Sequence, residues 1–353
     1  MRQILGSQKP YLVADSTVAV IRLKRPARRI VCLSASALDT LLELGLEPVA
    51  GLRRGVAARP EFYGQRCRQW QDVGSWLLPN LRAIRRVQPD LIIGWQFPHQ
   101  FYRSWLTAIA PVYLMAGSGY EEAVLRLLDI GSLTQREAAA EAAIAALEKQ
   151  LATYHQLLQS QPRKTVLMMG GSGMSRLCDR YPVEASSGTL GSVLQQFTHF
   201  PWSKPDPQRG EPGLIYLSLS QIQAIDPEII FVQSYGPRPQ FLSQQLASHR
   251  RWRRLKAVQT QQIYEMETFW HWGNGTRLIQ IMLSRLLPVI YPSAFTGAEG
   301  CPGLRQREFC DRLGLDYKEV ARSARQEGLS THVYLQQETG WQLDNERYYP
   351  PKI

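Results

Sequence analysis

Short apolar runs closed by small or polar residues alternate along this chain with stretches of helical periodicity. Arg29-Ile-Val-Cys-Leu-Ser34 predicts a buried strand, residues 37–44 a helix stopped at Gly45, and residues 48–52 a second strand. The rhythm returns as a strand over 90–95, a helix over 100–108 and a strand over 111–115. Alternation of this kind predicts a mainly parallel sheet with helices on both faces. The pattern then changes to one long helix over 132–159, rich in Ala, Glu, Gln and Leu, with Thr134 placed to cap it and Glu137 three residues later. Strand–helix alternation resumes with strands over 164–169, 228–232 and 262–266 and helices over 189–197 and 240–248.

An internal echo links the two halves. Leu81, Ile84, Val87 and the run Pro89-Asp-Leu-Ile-Ile93 recur as Leu219, Ile222, Ile225 and Pro227-Glu-Ile-Ile-Phe231 at the same spacing. Each copy reads as a short helix, a proline break and a buried strand. The expected architecture is α/β: two Rossmann-like lobes joined by one long helix, followed by a small C-terminal helical appendage. The expected segments are a lead-in over 1–28, an N-lobe over 29–131, a connecting helix over 132–160, a C-lobe over 161–292 and a tail over 293–353. In the tail, two short amphipathic helices around a turn would present Leu313, Val320 and Ala321 as an apolar face. Their spacing is also that of helix-turn-helix modules. A packing or docking appendage is favoured over nucleic-acid binding, and Tyr334, Trp341, Tyr348 and Tyr349 argue against a disordered tail.

Composition narrows the function classes. No run reaches the roughly 20 apolar residues of a membrane span, since Arg285 and Pro288 interrupt the most apolar C-terminal stretch. The first 20 residues lack the pattern of a secretory signal and carry no cysteine for a lipid. A net charge of +11 suits an anionic partner without selecting one. Five scattered cysteines exclude a disulfide framework; Cys301 and Cys310 are either bonded, a metal clip, or two thiols. The histidines, His99, His155, His199, His249, His271 and His332, form no recognisable set, so no direct metal site is expected. Met169-Gly-Gly-Ser-Gly-Met174 lacks the ending of a phosphate loop and is not a nucleophile elbow, so no catalytic constellation can be assembled and the chain does not read as an enzyme.

The order and spacing of several segments over 29–292 resemble the class III periplasmic binding proteins, which serve ABC importers of ferric siderophores, haem and vitamin B12. The carriers are the first strand, Leu41-Leu-Glu-Leu-Gly-Leu-Glu-Pro-Val-Ala-Gly51, Val73-Gly with Pro79-Asn-Leu and Pro89-Asp-Leu-Ile-Ile93, the long helix, residues 222–232, and Trp252-Arg-Arg-Leu-Lys-Ala-Val-Gln259. The resemblance implies a monomeric substrate-binding component that captures a ferric siderophore, or alternatively haem or cobalamin, in a cleft between the lobes, with no cofactor. It implies a periplasmic location and an ABC permease as partner. In that family each lobe offers a glutamate to the permease; Arg82 and Ser220 stand at those positions here, which puts docking to an arginine-bearing permease in question. A cytosolic interaction or regulatory protein reusing the fold is the alternative.

Ligands of open α/β sheets sit beyond the carboxyl ends of the strands. That rule nominates Arg53, Arg54, Trp76, Trp95 and Gln96 in the first lobe, near Ser34. It nominates Arg176, Tyr235, Arg238, Trp270 and Trp272 in the second, with Ser172, Met174 and His271 nearby. Arginine forks suit anionic chelating oxygens, and indole and phenol faces suit the apolar remainder of such a ligand.

Overall fold

The computed structural model describes residues 11–53, 63, 67, 69–200, 213–234, 241–266, 275–296, 304–313, 315–339, 341–344 and 347–349. The chain divides into two compact units, one of residues 1–117 and 122–144, the other of 118–121 and 145–353.

Unit 1 opens with an antiparallel hairpin, β1 (Tyr11–Ala14) and β2 (Val20–Leu23), where only an extended lead-in was expected. The buried Asp15 carboxylate fastens it, accepting Leu114 N–H at 3.1 Å and pairing with Arg103 at 2.7 Å. The sheet follows: β3 (Ile30–Cys32), α1 (Ala35–Glu43), β4 (Ala50–Gly51), β5 (Gln71–Asp72), α2 (Leu81–Arg86), β6 (Leu91–Trp95), α3 (Gln96–His99), α4 (Arg103–Thr107) and β7 (Val112–Met115). Its order is β5-β4-β3-β6-β7 and every pairing is parallel. The central strands are buried except at Trp95, the last residue of β6, which is why they read as continuous apolar runs rather than alternating ones.

The long helix expected over 132–160 is present as α6 (Glu137–Leu158), and a further helix that was not expected, α5 (Tyr120–Thr134), precedes it. Thr134 ends α5 instead of capping α6; its hydroxyl donates back to Ile130 O at 2.6 Å. Gln135 takes a left-handed φ of 57°, and Arg136 N–H closes the α5 terminus on Gly131 O at 2.7 Å. The 22 residues of α6 span about 33 Å at 1.5 Å per residue, less than the 28-residue reading required.

Unit 2 carries β8 (Val166–Gly171), α7 (Gly173–Cys178), β9 (Tyr181–Glu184), α8 (Gly191–Leu194), β10 (Leu214–Leu217), α9 (Leu219–Ile225), β11 (Ile229–Ser234), α10 (Leu242–Leu246), α11 (Lys256–Gln259) and β12 (Ile263–Glu265). The sheet order is β10-β9-β8-β11-β12. β9 runs antiparallel to both of its neighbours, and neither β9 nor β10 was expected.

The internal echo is structural. In each unit a polar residue caps the helix: Asn80 accepts Ala83 N–H at 3.0 Å and Ser218 accepts Gln221 N–H at 3.3 Å. The residue before the proline is left-handed in both, Gln88 and Asp226, each at φ 47°. The acid after the proline then reaches the entry of the adjacent central strand. Asp90 accepts Arg28 and Arg29 N–H at 2.9 and 2.8 Å, and Glu228 accepts Thr165 N–H at 3.0 Å.

After β12 the chain forms α12 (Thr276–Ile290), α13 (Pro292–Thr296), β13 (Leu304–Arg305), α14 (Gln306–Arg312), α15 (Tyr317–Gln326), α16 (Thr331–Thr339), β14 (Gln342–Asp344) and β15 (Arg347–Tyr349). The tail is thus three helices with a small antiparallel sheet, not a helix pair alone. Trp341 is buried and donates its indole N–H to Ser284 O of α12 at 3.2 Å. Leu313 and Val320 face inward as expected, joined by Ala324, one turn on from Val320; Ala321 is only half-buried. Cys310 is buried, and Cys301 lies outside the described residues. Among the described residues no helix is long and apolar enough to cross a membrane.

Candidate ligand-binding site

Because all five strands of the unit 1 sheet are parallel, their carboxyl ends share one edge, and the residues leaving that edge collect there. Ser34 leaves β3 and is used as the cap of α1, accepting Ala37 N–H at 3.1 Å. Arg53 lies two residues past β4 and is exposed; Arg54 is outside the described residues. Trp76 sits in the turn after β5, and Trp95 and Gln96 end β6 and start α3; all three are half-buried. The structure adds two rings that the strand-end rule did not name. Phe97 packs edge-on against Trp76 and against Phe101, at 6.0 Å between centroids in each pair. Phe97 and Phe101 are 52% and 64% exposed, and Leu77 and Leu78 beside Trp76 are exposed as well. A line of aromatic rings standing open beside two leucines is the kind of patch that marks a binding surface.

Two buried polar groups hold this edge. The His99 ring lies against Gly94, where a Cβ would come within 3.0 Å of Nδ1, so glycine makes the space it occupies. His99 Nδ1 lies 2.9 Å from Trp95 N and 3.1 Å from Trp95 O, so the imidazole is tied to the backbone at the end of β6. Burial holds the imidazole down to about 4, outweighing the opposing pull of its backbone contacts with Trp95 and Trp76. Arg126 of α5 is fully buried; its guanidinium carbon stands 5.2 Å from the Trp95 ring centroid, and Nη1 donates to Ala116 O, just past β7, at 2.9 Å.

The corresponding edge of unit 2 is only partly described. Ser172 leaves β8 and caps α7, whose Met174, Arg176, Leu177 and Cys178 are exposed. Arg176 reaches Gln245 O at 3.4 Å. At the end of β11, Ser234 donates to Glu265 at 3.0 Å and accepts Leu242 N–H at 2.6 Å, while Glu265 accepts Ser243 N–H at 2.8 Å. Tyr235, Arg238, Trp270, His271 and Trp272 lie outside the described residues. Arg82 on α2 and Ser220 on α9 are exposed and occupy equivalent positions of the internal echo, one residue past Leu81 and Leu219.

Among the described residues no three His, Cys, Asp or Glu side chains gather where they could hold a metal ion. What these edges offer is surface for contact: rings, guanidinium groups and backbone.

Comparison with known proteins gives the family. The periplasmic binding protein family matches residues 30–268. The chain belongs to that family, whose members are substrate-binding components of importers, and it is a binding protein rather than an enzyme. It is 25% identical over 311 residues to the achromobactin-binding periplasmic protein of Dickeya dadantii, covering 82% of this chain and 97% of the relative. It is 24% identical over 269 residues to the Fe(3+)-citrate-binding protein YfmC of Bacillus subtilis, covering 75% and 81%. Among solved structures, the petrobactin-binding protein YclQ from Bacillus subtilis superposes with a TM-score of 0.64 at 15% identity, covering 78% of this chain and 96% of YclQ, which shows the shared fold.

Proposed function

We propose that this protein captures a ferric siderophore outside the cytoplasm and delivers it to an ABC permease. The observation that carries the reading is the open aromatic line Trp76–Phe97–Phe101 at the carboxyl edge of a wholly parallel sheet, with Trp95 beside it. Rings of this kind cover the apolar parts of a chelate, while Arg53, Arg54 and Gln96 supply polar contacts from unit 1. Arg176, Tyr235, Arg238, Trp270 and Trp272 are the proposed contacts from unit 2. The names of the relatives support an iron-chelate ligand over haem or cobalamin. Arg82 and Ser220 are proposed as the docking positions, so the permease partner would present no arginine opposite Arg82, where like charges would repel.

Tryptophan-fluorescence titration with ferric citrate, ferric hydroxamates, haem and cobalamin tests this reading. Saturable quenching by a ferric chelate at micromolar concentration or below is expected, with a Phe97→Ala, Phe101→Ala variant about 10- to 100-fold weaker, the effect of losing two buried ring contacts. Quenching by haem or cobalamin alone, or by no compound, would overturn the siderophore assignment.

A further inference from the structure

The C-terminal appendage presents a basic helix face that nothing described neutralises. α15 is ten residues long and is anchored from one side, where Val320 and Ala324 are buried. On the opposite side Lys318, Arg322 and Arg325 are exposed and follow the i, i+4, i+7 spacing of a single helical stripe, over about 10 Å of axis at 1.5 Å per residue. Among the described residues none of these three side chains makes an ion pair. With Tyr317, Ala321 and Gln326 they line a recess of about 570 Å³, in which Ala321 is the small residue. Asp316 stands at the start of the helix as its cap, accepting Lys318 and Glu319 N–H at 2.8 and 3.2 Å, and Glu319 is exposed in the first turn. Lys149 of α6 is a further cation at this end, acting with Lys318 on the Asp316 carboxylate. Like charges one turn apart on a helix repel, and an anionic surface laid against them relieves that repulsion.

We propose that this face is a docking surface for anionic phospholipid: Lys318, Arg322 and Arg325 lie against phosphate headgroups, with the Tyr317 ring at headgroup level beside them. Duplex nucleic acid is the competing partner, since α14 and α15 have the spacing of a helix-turn-helix module. Such a module sets the N-terminal residues of its second helix against base edges, between two rows of phosphates. In α15 that turn holds the Asp316 and Glu319 carboxylates, while the cations run on towards the C-terminal half, so a flat anionic surface is the better match. The exposed stripe carries no aliphatic side chain larger than Ala321, so attachment is by charge, peripheral and sensitive to salt. The inference goes beyond the siderophore reading and uses other residues; together the two keep a loaded chain at the membrane that houses its permease.

Co-sedimentation of the full chain with vesicles of phosphatidylcholine alone, or of phosphatidylcholine with about one third phosphatidylglycerol, tests this. The wild type is expected to bind the anionic vesicles and not the neutral ones, and to lose at least about tenfold in affinity as salt rises from about 0.05 to about 0.5 M. Each cation near a charged surface contributes about fivefold, so Arg322→Gln, Arg325→Gln should weaken binding about 25-fold, and adding Lys318→Gln about 100-fold. Arg322→Lys, Arg325→Lys keeps the charge and should stay within about twofold, because a lipid surface reads charge and not the guanidinium fork. These side chains are exposed, so thermal melting and quenching by ferric chelates should match the wild type in every variant. Several results would each overturn the proposal and leave the siderophore reading standing: no binding to the anionic vesicles, equal binding to the neutral ones, no response to salt, unchanged affinity in the glutamine variants, a lysine variant as weak as the glutamine one, or tighter binding to duplex DNA than to the vesicles at the same salt. Vesicle binding by a chain that no ferric chelate quenches would uphold the docking surface and overturn the siderophore reading alone.

Discussion

The two units build the same kind of sheet and fill its interior differently. Each has a titratable group in a niche that a glycine opens: His99 against Gly94 in unit 1, and Glu184 against Gly188 in unit 2, where any Cβ would overlap the Glu184 carboxyl group. Both groups are held in their neutral forms by burial. The imidazole is pushed down to about 4 and the carboxyl up to about 8, although the Glu184 carboxyl also accepts Gly191 N–H at 3.0 Å. The edges differ too. In unit 1 the half-buried Trp95 ring lies 5.2 Å from a buried guanidinium carbon whose Nη2 has no hydrogen-bond partner, whereas Ser234 and Glu265 of unit 2 satisfy each other and the start of α10. One sheet pattern thus carries exposed aromatic rings at one edge and a closed Ser234–Glu265 hydrogen-bond cluster at the other.

The largest expected effect is an opposite response of the two units to pH. His99 binds a proton near pH 6.5 when unfolded but only near 4 when folded, so its contribution is complete above 6.5 and is lost as pH falls towards 4, about 3 kcal/mol in all. Glu184 releases its proton near 4.5 unfolded and near 8 folded, so stability is complete below 4.5 and declines as pH rises through 8, by about 5 kcal/mol at the limit. Hydrogen exchange across this pH range should show unit 1 loosening in acid and unit 2 in alkali. Glu184→Gln should abolish the alkaline decline in unit 2 and leave the acid response of unit 1 intact. Parallel loss of protection in both units at either extreme would break the comparison.

A second difference is the appendage. Trp341 lies tilted against Phe309 at 4.9 Å between centroids, Phe309 stacks on Tyr348 at 4.3 Å, and the Trp341 indole bonds Ser284 O of α12. Trp341→Ala is expected to destabilise unit 2 by about 3–5 kcal/mol, the usual effect of removing a buried large aromatic side chain. If urea unfolding followed by hydrogen exchange showed no loss in unit 2, the appendage would be a separate element and not part of that core.

Much of this was legible in the sequence, for identifiable reasons. Residues 91–94 and Val166–Gly171 are buried on both faces, so they read as apolar runs, and the echo of Pro89 and Pro227 marks matching helix-to-strand turns. Thr134 and Glu137 misled because a capping-box spacing arises equally when the threonine closes one helix and the glutamate opens the next. β9 and β10 were missed because they pair antiparallel at the sheet edge, outside the parallel strand–helix alternation. Phe97 and Phe101 precede or open the helix expected over 100–108, and their exposure is not written in any periodicity. Arg126 looks like a solvated helix residue in Tyr120-Glu-Glu-Ala-Val-Leu-Arg126; only the packing of α5 beneath β6 and β7 reveals a buried cation.

The smallest predicted effect separates the two acids of the echo. Asp90 accepts two successive backbone N–H groups, with three contacts of 2.8–3.0 Å to Arg28 and Arg29. Glu228 accepts one backbone N–H and pairs with Lys256 at 2.9 Å, but those two side chains are 35% and 53% exposed, so the ion pair contributes only about 0–1 kcal/mol. Asp90→Ala should therefore lower stability by about 2 kcal/mol and Glu228→Ala by about 1 kcal/mol, each within its own unit. Raising salt to 0.5 M should shrink the Glu228 effect by screening Lys256, while the backbone contacts of Asp90 hold their value. Urea midpoints at two salt concentrations measure both. Equal losses for the two variants, or a salt response confined to Asp90→Ala, would show that the matching positions do not differ in the way their hydrogen bonds require.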